Sequence, residues 1–153
     1  MPNALVTLVK DMQFVGDSGT GHAIVMDADE KFGGSNTGAR PIELLLIGFG
    51  GCTGMDVISI LRKKRQEITN FEIKVDGQRQ EGHPGRYTAI HLIYTVTGRN
   101  VSKEAVERAI SLSLDKYCSV GATLARSAEI THEYRIIDTA EESGGDERIR
   151  TAE

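Results

Sequence analysis

Cysteine is scarce in this chain: two residues in 153, Cys52 and Cys118. Two thiols do not make a disulfide scaffold, so a hydrophobic core must hold the fold. The chain is long enough for one, because a domain of this size buries about 68–70% of the surface its unfolded chain exposes. Positive charge is not in excess either. Eighteen Lys and Arg stand against 22 Asp and Glu, a net charge of −4, which argues against nucleic acid as a main partner. The opening MPNALVTLVK has no basic stretch followed by an apolar run. No secretory signal is therefore expected, and a cytoplasmic protein is. No repeat of fixed period is visible, and no P-loop lysine follows the glycines of GDSGTG (16–21).

What charge imbalance there is has an address. Six acids and two bases lie from Asp138 onward, which accounts for the whole −4 and leaves a neutral body with 16 of each. The end of the chain, EESGGDERIRTAE, offers almost nothing apolar to pack. Residues 138–153 are expected to be an acidic, solvated or disordered tail, and 1–137 a single domain.

Along the body, residues 4–15 are rich in Val, Leu and Thr and predict a strand pair or one bent strand. A turn at 16–21 and a strand at 22–27 complete an N-terminal meander. The stretch FGGSNTGAR (32–40) is a loop by composition. Pro41 then suits a first helical turn, Glu43 favours the positive end of the helix dipole, and Arg62–Arg65 favour the negative end. A helix over 41–66 follows. Residues 70–79 alternate apolar and polar, and 87–97 are dense in β-branched and aromatic residues, so both predict strands. Ser102 is placed to cap a helix running to about Tyr117, with Ala105, Ala109, Ile110, Leu112 and Leu114 as buried candidates. Ser119 is placed to cap a short helix over 120–127, and 130–137 is a last strand. No βαβ alternation runs through this order, so the expected class is α+β with a mostly antiparallel sheet.

The central helix is the informative element. Between Leu44 and Leu61 its only charge is Asp56. Its length and apolarity suit a membrane span, yet an acid in mid-span is costly and no second span or aromatic belt accompanies it. A helix buried on most sides of a soluble core is expected. Gly48, Gly50, Gly51 and Gly54 cost that helix about 1 kcal/mol each relative to alanine. Small residues admit a close neighbour: a second helix, or the same helix of a second copy across a dimer. Asp56 lies one turn after Cys52, on the same face, as an ion-pair partner or a site acid.

Mid-helix, Cys52 is either a small buried hydrophobe or a working thiol. Cys118 sits at a helix junction, where unpaired N–H groups favour a thiolate and lower its pKa. Two such cysteines suggest an attacking and a resolving thiol. The four histidines, His22, His83, His91 and His132, pair with no cysteine at metal-ligand spacing, although a zinc set of both cysteines with one histidine stays open.

The run RPIELLLIGFGGCTGMD, followed by YCSVGATL, resembles the OsmC/Ohr family of thiol-dependent hydroperoxide reductases. The likeness extends to element order over residues 4–137. It implies an intertwined homodimer in which sheets wrap around central cysteine-bearing helices, with sites at the subunit interface. It also implies a chemistry. Cys52 attacks the peroxide oxygen and becomes a sulfenic acid, Cys118 condenses with it to a disulfide, and a dithiol reductant reopens the bond, with no metal or organic cofactor. Family members resemble one another in an arginine from the N-terminal sheet and a glutamate just after the helix proline. Here no arginine precedes Arg40, the earlier cations being Lys10, Lys31 and His22, and the acid is one place late, at Glu43. Nine residues before Cys52, Glu43 lies about 900° around the helix and about 13 Å along it. Arg40 and Glu43 are the nearest substitutes for the family's supporting pair. Phe49 and Met55 are expected beside a pocket suited to an alkyl hydroperoxide. The competing expectation is a protein of the same fold that binds a small apolar ligand without peroxidase turnover.

Overall fold

The computed structural model describes residues 1–141 and 150–152. It divides into two compact units, Met1–Leu45 and Leu46–Glu153.

The first unit is an antiparallel meander of β1 (Ala4–Lys10), β2 (Gln13–Ser18) and β3 (Ala23–Met26), in the order β1-β2-β3. The expected strand pair is thus two strands, joined by a tight turn at Asp11, whose φ of 50° is left-handed. β1 is exposed along its whole length, Leu5, Val6, Leu8 and Val9 included. The glycine-rich segment after β3 is a loop, but a tied one. Asp27 is buried and its carboxylate accepts four hydrogen bonds: from the amides of Ala28 (2.8 Å), Ser35 (3.1 Å) and Thr37 (3.1 Å), and from the Thr37 hydroxyl (2.7 Å). Gly34 is required in this knot, because a Cβ there would lie 2.0 Å from the Ala28 carbonyl oxygen.

The second unit is one sheet, β4-β5-β6-β7, with helices on one face. β4 (Glu67–Arg79) and β5 (Tyr87–Arg99) form a long antiparallel pair, and each extends beyond its expected limits. β6 (Glu129–Asp138) runs parallel to β5. This one parallel pair in a mostly antiparallel fold has a physical cause: α2 (Lys103–Leu112) and α3 (Ser119–Leu124) carry the chain back over the sheet. Tyr94 and Tyr134 are register partners and so share a face. Tyr94 meets Thr53 of α1 (Glu43–Lys63), and Tyr134 donates to Glu107 of α2. Both helices therefore cover the face that buries Ile90, Leu92, Tyr94 and Val96.

α1 is long and apolar enough to cross a membrane by length and composition. It buries a single stripe, Phe49, Thr53, Val57 and Leu61, spaced one turn apart. The expectation of burial on most sides is corrected: Leu45, Ile47 and Met55 are exposed. Gly50 and Gly54 admit Val75 and Ile73 of β4 at 3.1 and 3.2 Å from where a Cβ would be, so their close neighbour is a strand and not a second helix. Gly48 and Gly51 face open space.

At the chain end, residues 142–149 and 153 of the expected tail lie outside the described residues. Asp138 instead ends β6, a short 3-10 turn covers Thr139–Glu141, and β7 (Arg150–Ala152) pairs antiparallel with β6.

The Asp27 knot carries a pH signature. Hydrogen bonds to Thr37 first, and to Ala28 and Ser35 beyond the opposing effect of burial, lower its pKa to about 2 from an ordinary 3.8. Its stabilisation is present above pH 4 and is lost as pH falls through 2, since only the unfolded chain takes up the proton in between. Amide hydrogen exchange at Ser35 and Thr37 checks this. Protection should be level from neutrality to pH 4 and fall below it, whereas Asp27→Asn should be less protected at neutrality and flat across that acid window.

Candidate active site

The two cysteines meet. Cys52 is half-buried on α1, and Cys118 is buried at the start of α3; both are free thiols. Their sulfurs and a carboxylate oxygen of Asp56 all lie within 4.8 Å of one another. Among the described residues the third group beside the thiols is Asp56, so no histidine completes the zinc set left open by the sequence.

Local structure explains how the chain brings them together. α2 ends at Leu112 and continues as one wider π-type turn, Ser113–Tyr117, which delivers Cys118 in an extended conformation. Ser102 caps α2 as expected, its hydroxyl accepting from the Ala105 amide at 3.2 Å. Ala105, Ala109 and Ile110 are buried as expected, whereas Leu112 and Leu114 are half-buried. Cys118, not Ser119, caps α3: its sulfur accepts from the Gly121 amide at 3.3 Å. Gly121 also leaves room for the ring of Phe49, 2.8 Å from where a Cβ would be.

A chain of hydroxyls leads into the site. Tyr94 Oη lies 2.8 Å from Thr53 Oγ1, and Ser113 Oγ lies 2.9 Å from both Thr53 Oγ1 and Asp56 Oδ2. A hydroxyl has one proton and a carboxylate only accepts. Ser113 is the donor towards both Asp56 and Thr53, sharing its one proton between them, and either hydroxyl of the Thr53–Tyr94 pair can donate to the other. Burial pushes the Tyr94 phenol up to about 12, which keeps it protonated at neutral pH. Three residues, from α1, β5 and the π-type turn, thus orient the carboxylate next to the sulfurs. Asp56 was visible from its spacing to Cys52. The hydroxyls were not, because serine and threonine carry no periodic signal of their own.

The expected lowering of the Cys118 pKa is corrected. Burial, a hydrogen bond to Cys52 and the nearby Cys52 and Asp56 charges push this thiol up to about 12, outweighing the Gly121 amide that favours the thiolate. Cys118 is a protonated thiol at neutral pH.

Arg40 and Glu43 belong to the first unit. The Glu43 carboxylate accepts from the Arg40 amide at 2.8 Å, half of a capping box at the start of α1. The Arg40 guanidinium donates to the carbonyls of Gly38 (2.9 Å) and Asp27 (3.3 Å) and to Asn36 Oδ1 (2.6 Å), tying the loop that precedes the helix. Phe49 is buried in the core, which corrects its placement beside a pocket. Met55 does line one, a groove of 780 Å³ between α1 and β4 with Gly50, Gly54, Ile58, Ile73 and Val75 among its walls.

The pattern of OsmC-like proteins matches residues 33–133, which take in the later part of the knotted loop, the cysteine helix and both cysteines. The chain belongs to the OsmC-like family. It is 40% identical to Protein YhfA of Escherichia coli K12 over 134 residues, covering 88% of this chain and 97% of that one. A protein from Aquifex aeolicus VF5 shares 34% identity and superposes with a TM-score of 0.74, over 89% of this chain and 97% of that one. An organic hydroperoxide resistance protein from Elizabethkingia anophelis shares the fold, with a TM-score of 0.61 over 86% and 94% of the two chains at 15% identity.

With Cys52 replaced by serine, alkylation of the remaining Cys118 by iodoacetamide should stay slow from pH 7 to 10 and rise only towards pH 12, because burial is the largest cause of its raised pKa. Stopped-time mass spectrometry over that range reads the profile.

Proposed function

We propose that this OsmC-like protein is a thiol-dependent peroxidase in which Cys52 is the nucleophile and Cys118 the resolving thiol. The observation that carries the reading is the meeting of two free sulfurs from separate elements within 4.8 Å. A disulfide needs about 2.05 Å, so closure asks for a shift of less than 3 Å. In the first step the Cys52 sulfur takes the terminal hydroxyl of the peroxide. The O–O bond breaks, and the departing alkoxide leaves as an alcohol with the thiol proton. In the second, the Cys118 and Cys52 sulfurs join and water leaves. A dithiol reductant restores both thiols. Such a cycle suits the reducing cytoplasm, where free thiols persist. Arg40 and Glu43 serve it at a distance, by fixing the start of the helix that carries Cys52.

The reading includes a second copy of the chain. On α1, Ile47, Gly48, Gly51 and Met55 form an open stripe on the side away from Phe49, Thr53, Val57 and Leu61. Ile47 is 62% and Met55 74% exposed. A like helix of a partner copy covers such a stripe, with the glycines permitting close approach. In sedimentation equilibrium the wild-type chain should be a dimer, and Met55→Glu should shift it towards monomer.

A second reading, an apolar-ligand binder without turnover, is favoured by one observation, the groove beside Met55. Peroxide kinetics separate the two. Wild-type protein mixed with cumene hydroperoxide or hydrogen peroxide should form the Cys52–Cys118 disulfide much faster than free cysteine is oxidised. Cys118→Ser should instead stop at a sulfenic acid on Cys52, trapped with dimedone. Oxidation of Cys52 no faster than that of free cysteine by either peroxide would reject the peroxidase.

A further inference from the structure

Resting on that reading, a role emerges for the acidic group that, among the described residues, stands beside the sulfurs. We propose that Asp56 is the general base of the resolving step: it takes the proton from the Cys118 thiol as that sulfur attacks Cys52, and returns it to the hydroxyl that leaves.

Three observations converge on Asp56. Its carboxylate is within 4.8 Å of both sulfurs, the attacking one and the one that loses its oxygen. That spacing suits transfer through one water, or direct transfer once the sulfurs close. Its orientation is set, because Ser113 holds Oδ2 at 2.9 Å and is itself held by Thr53 and Tyr94. The other neighbours do not compete for the role. The Gly121 amide is a donor to Cys118, and the Ser113 hydroxyl is a donor to Asp56 and Thr53.

The chemistry requires such a group. Only a thiolate attacks sulfur well, and Cys118 is held protonated at neutral pH by burial and by its neighbours. As its proton passes to Asp56, the Cys118 sulfur forms the new S–S bond, the S–O bond of the Cys52 sulfenic acid breaks, and the leaving hydroxide takes the proton from Asp56 as water. The carboxylate ends as it began. No outside oxidant enters this step, since the sulfenic acid already carries the oxidising equivalents.

The step can be isolated from peroxide chemistry with Ellman's reagent. Cys52 attacks it and releases one thionitrobenzoate; Cys118 then attacks the mixed disulfide and releases a second. In Asp56→Asn the first release should stay within a few-fold of wild type and the second should slow about 100-fold, the usual scale of a positioned base. Asp56→Ser, which keeps a hydrogen-bonding partner for Ser113, serves where Asn disturbs folding and should slow the second release alike. Added formate should partly restore it in Asp56→Ser, which a purely structural role would not allow. A second release within threefold of wild type in either folded variant overturns the proposal. That outcome leaves the peroxidase reading standing, and failure of wild-type protein to react with peroxide leaves this assay able to decide on Asp56.

Discussion

The contact on which this structure turns is the buried one between Thr53 and Tyr94. It fixes the rotation of α1 on the sheet. With Thr53 held against β5, the stripe of Phe49, Val57 and Leu61 must face the core, because each lies within about 80° of it around the helix. Cys52 and Asp56 then have no freedom of their own. They flank the stripe on one side, where the π-type turn after α2 brings Ser113 and Cys118. A hydroxyl pair buried without partners would cost about 1–3 kcal/mol for each group left unsatisfied, so the network specifies this rotation over its neighbours as well as stabilising it.

Much of this was legible in the sequence, and the reasons differ by element. The long helix announced itself through agreement of proline, acid and base at its two ends. β4 and β5 did so through alternation and β-branched density. The parallel pairing of β6 with β5 was harder to see, since strand direction follows from how two helices return the chain and not from any residue in the strand. The knotted loop was read as a loop. Its anchor, Asp27, looked like the polar end of a strand, because the four donors that meet it are spread over Ala28 to Thr37. At the site, the pair of cysteines stood out through their local surroundings and the family resemblance, and the nearby acid through its spacing to Cys52. The direction of the Cys118 pKa was not, because a helix-start amide was weighed without the burial that outweighs it.

The glycines of α1 divide by what they meet. Gly50 and Gly54 let β4 side chains approach within the chain, whereas Gly48 and Gly51 meet nothing in it. A helix that gives up about 1 kcal/mol per glycine must regain it from close packing. The first pair does so inside one chain. The second pair sits among exposed Ile47 and Met55, the stripe on which the proposed dimer would pack.

In the proposed cycle a resolving thiol held in its protonated state is not a defect of the site. Peroxides and other electrophiles consume thiolates, so a thiolate at Cys118 would be oxidised independently and the pair would lose its order of reaction. Burial removes that hazard by keeping the Cys118 proton on. It also creates a need, since the thiol must become nucleophilic at the moment Cys52 carries a sulfenic acid. In the proposed cycle the Asp56 carboxylate answers it, because it lies within 4.8 Å of both sulfurs and is placed to accept the proton. On that reading oxidation of Cys52 supplies the electrophile and Asp56 the base, and the second step follows the first because Cys118 has nothing to attack until Cys52 is oxidised.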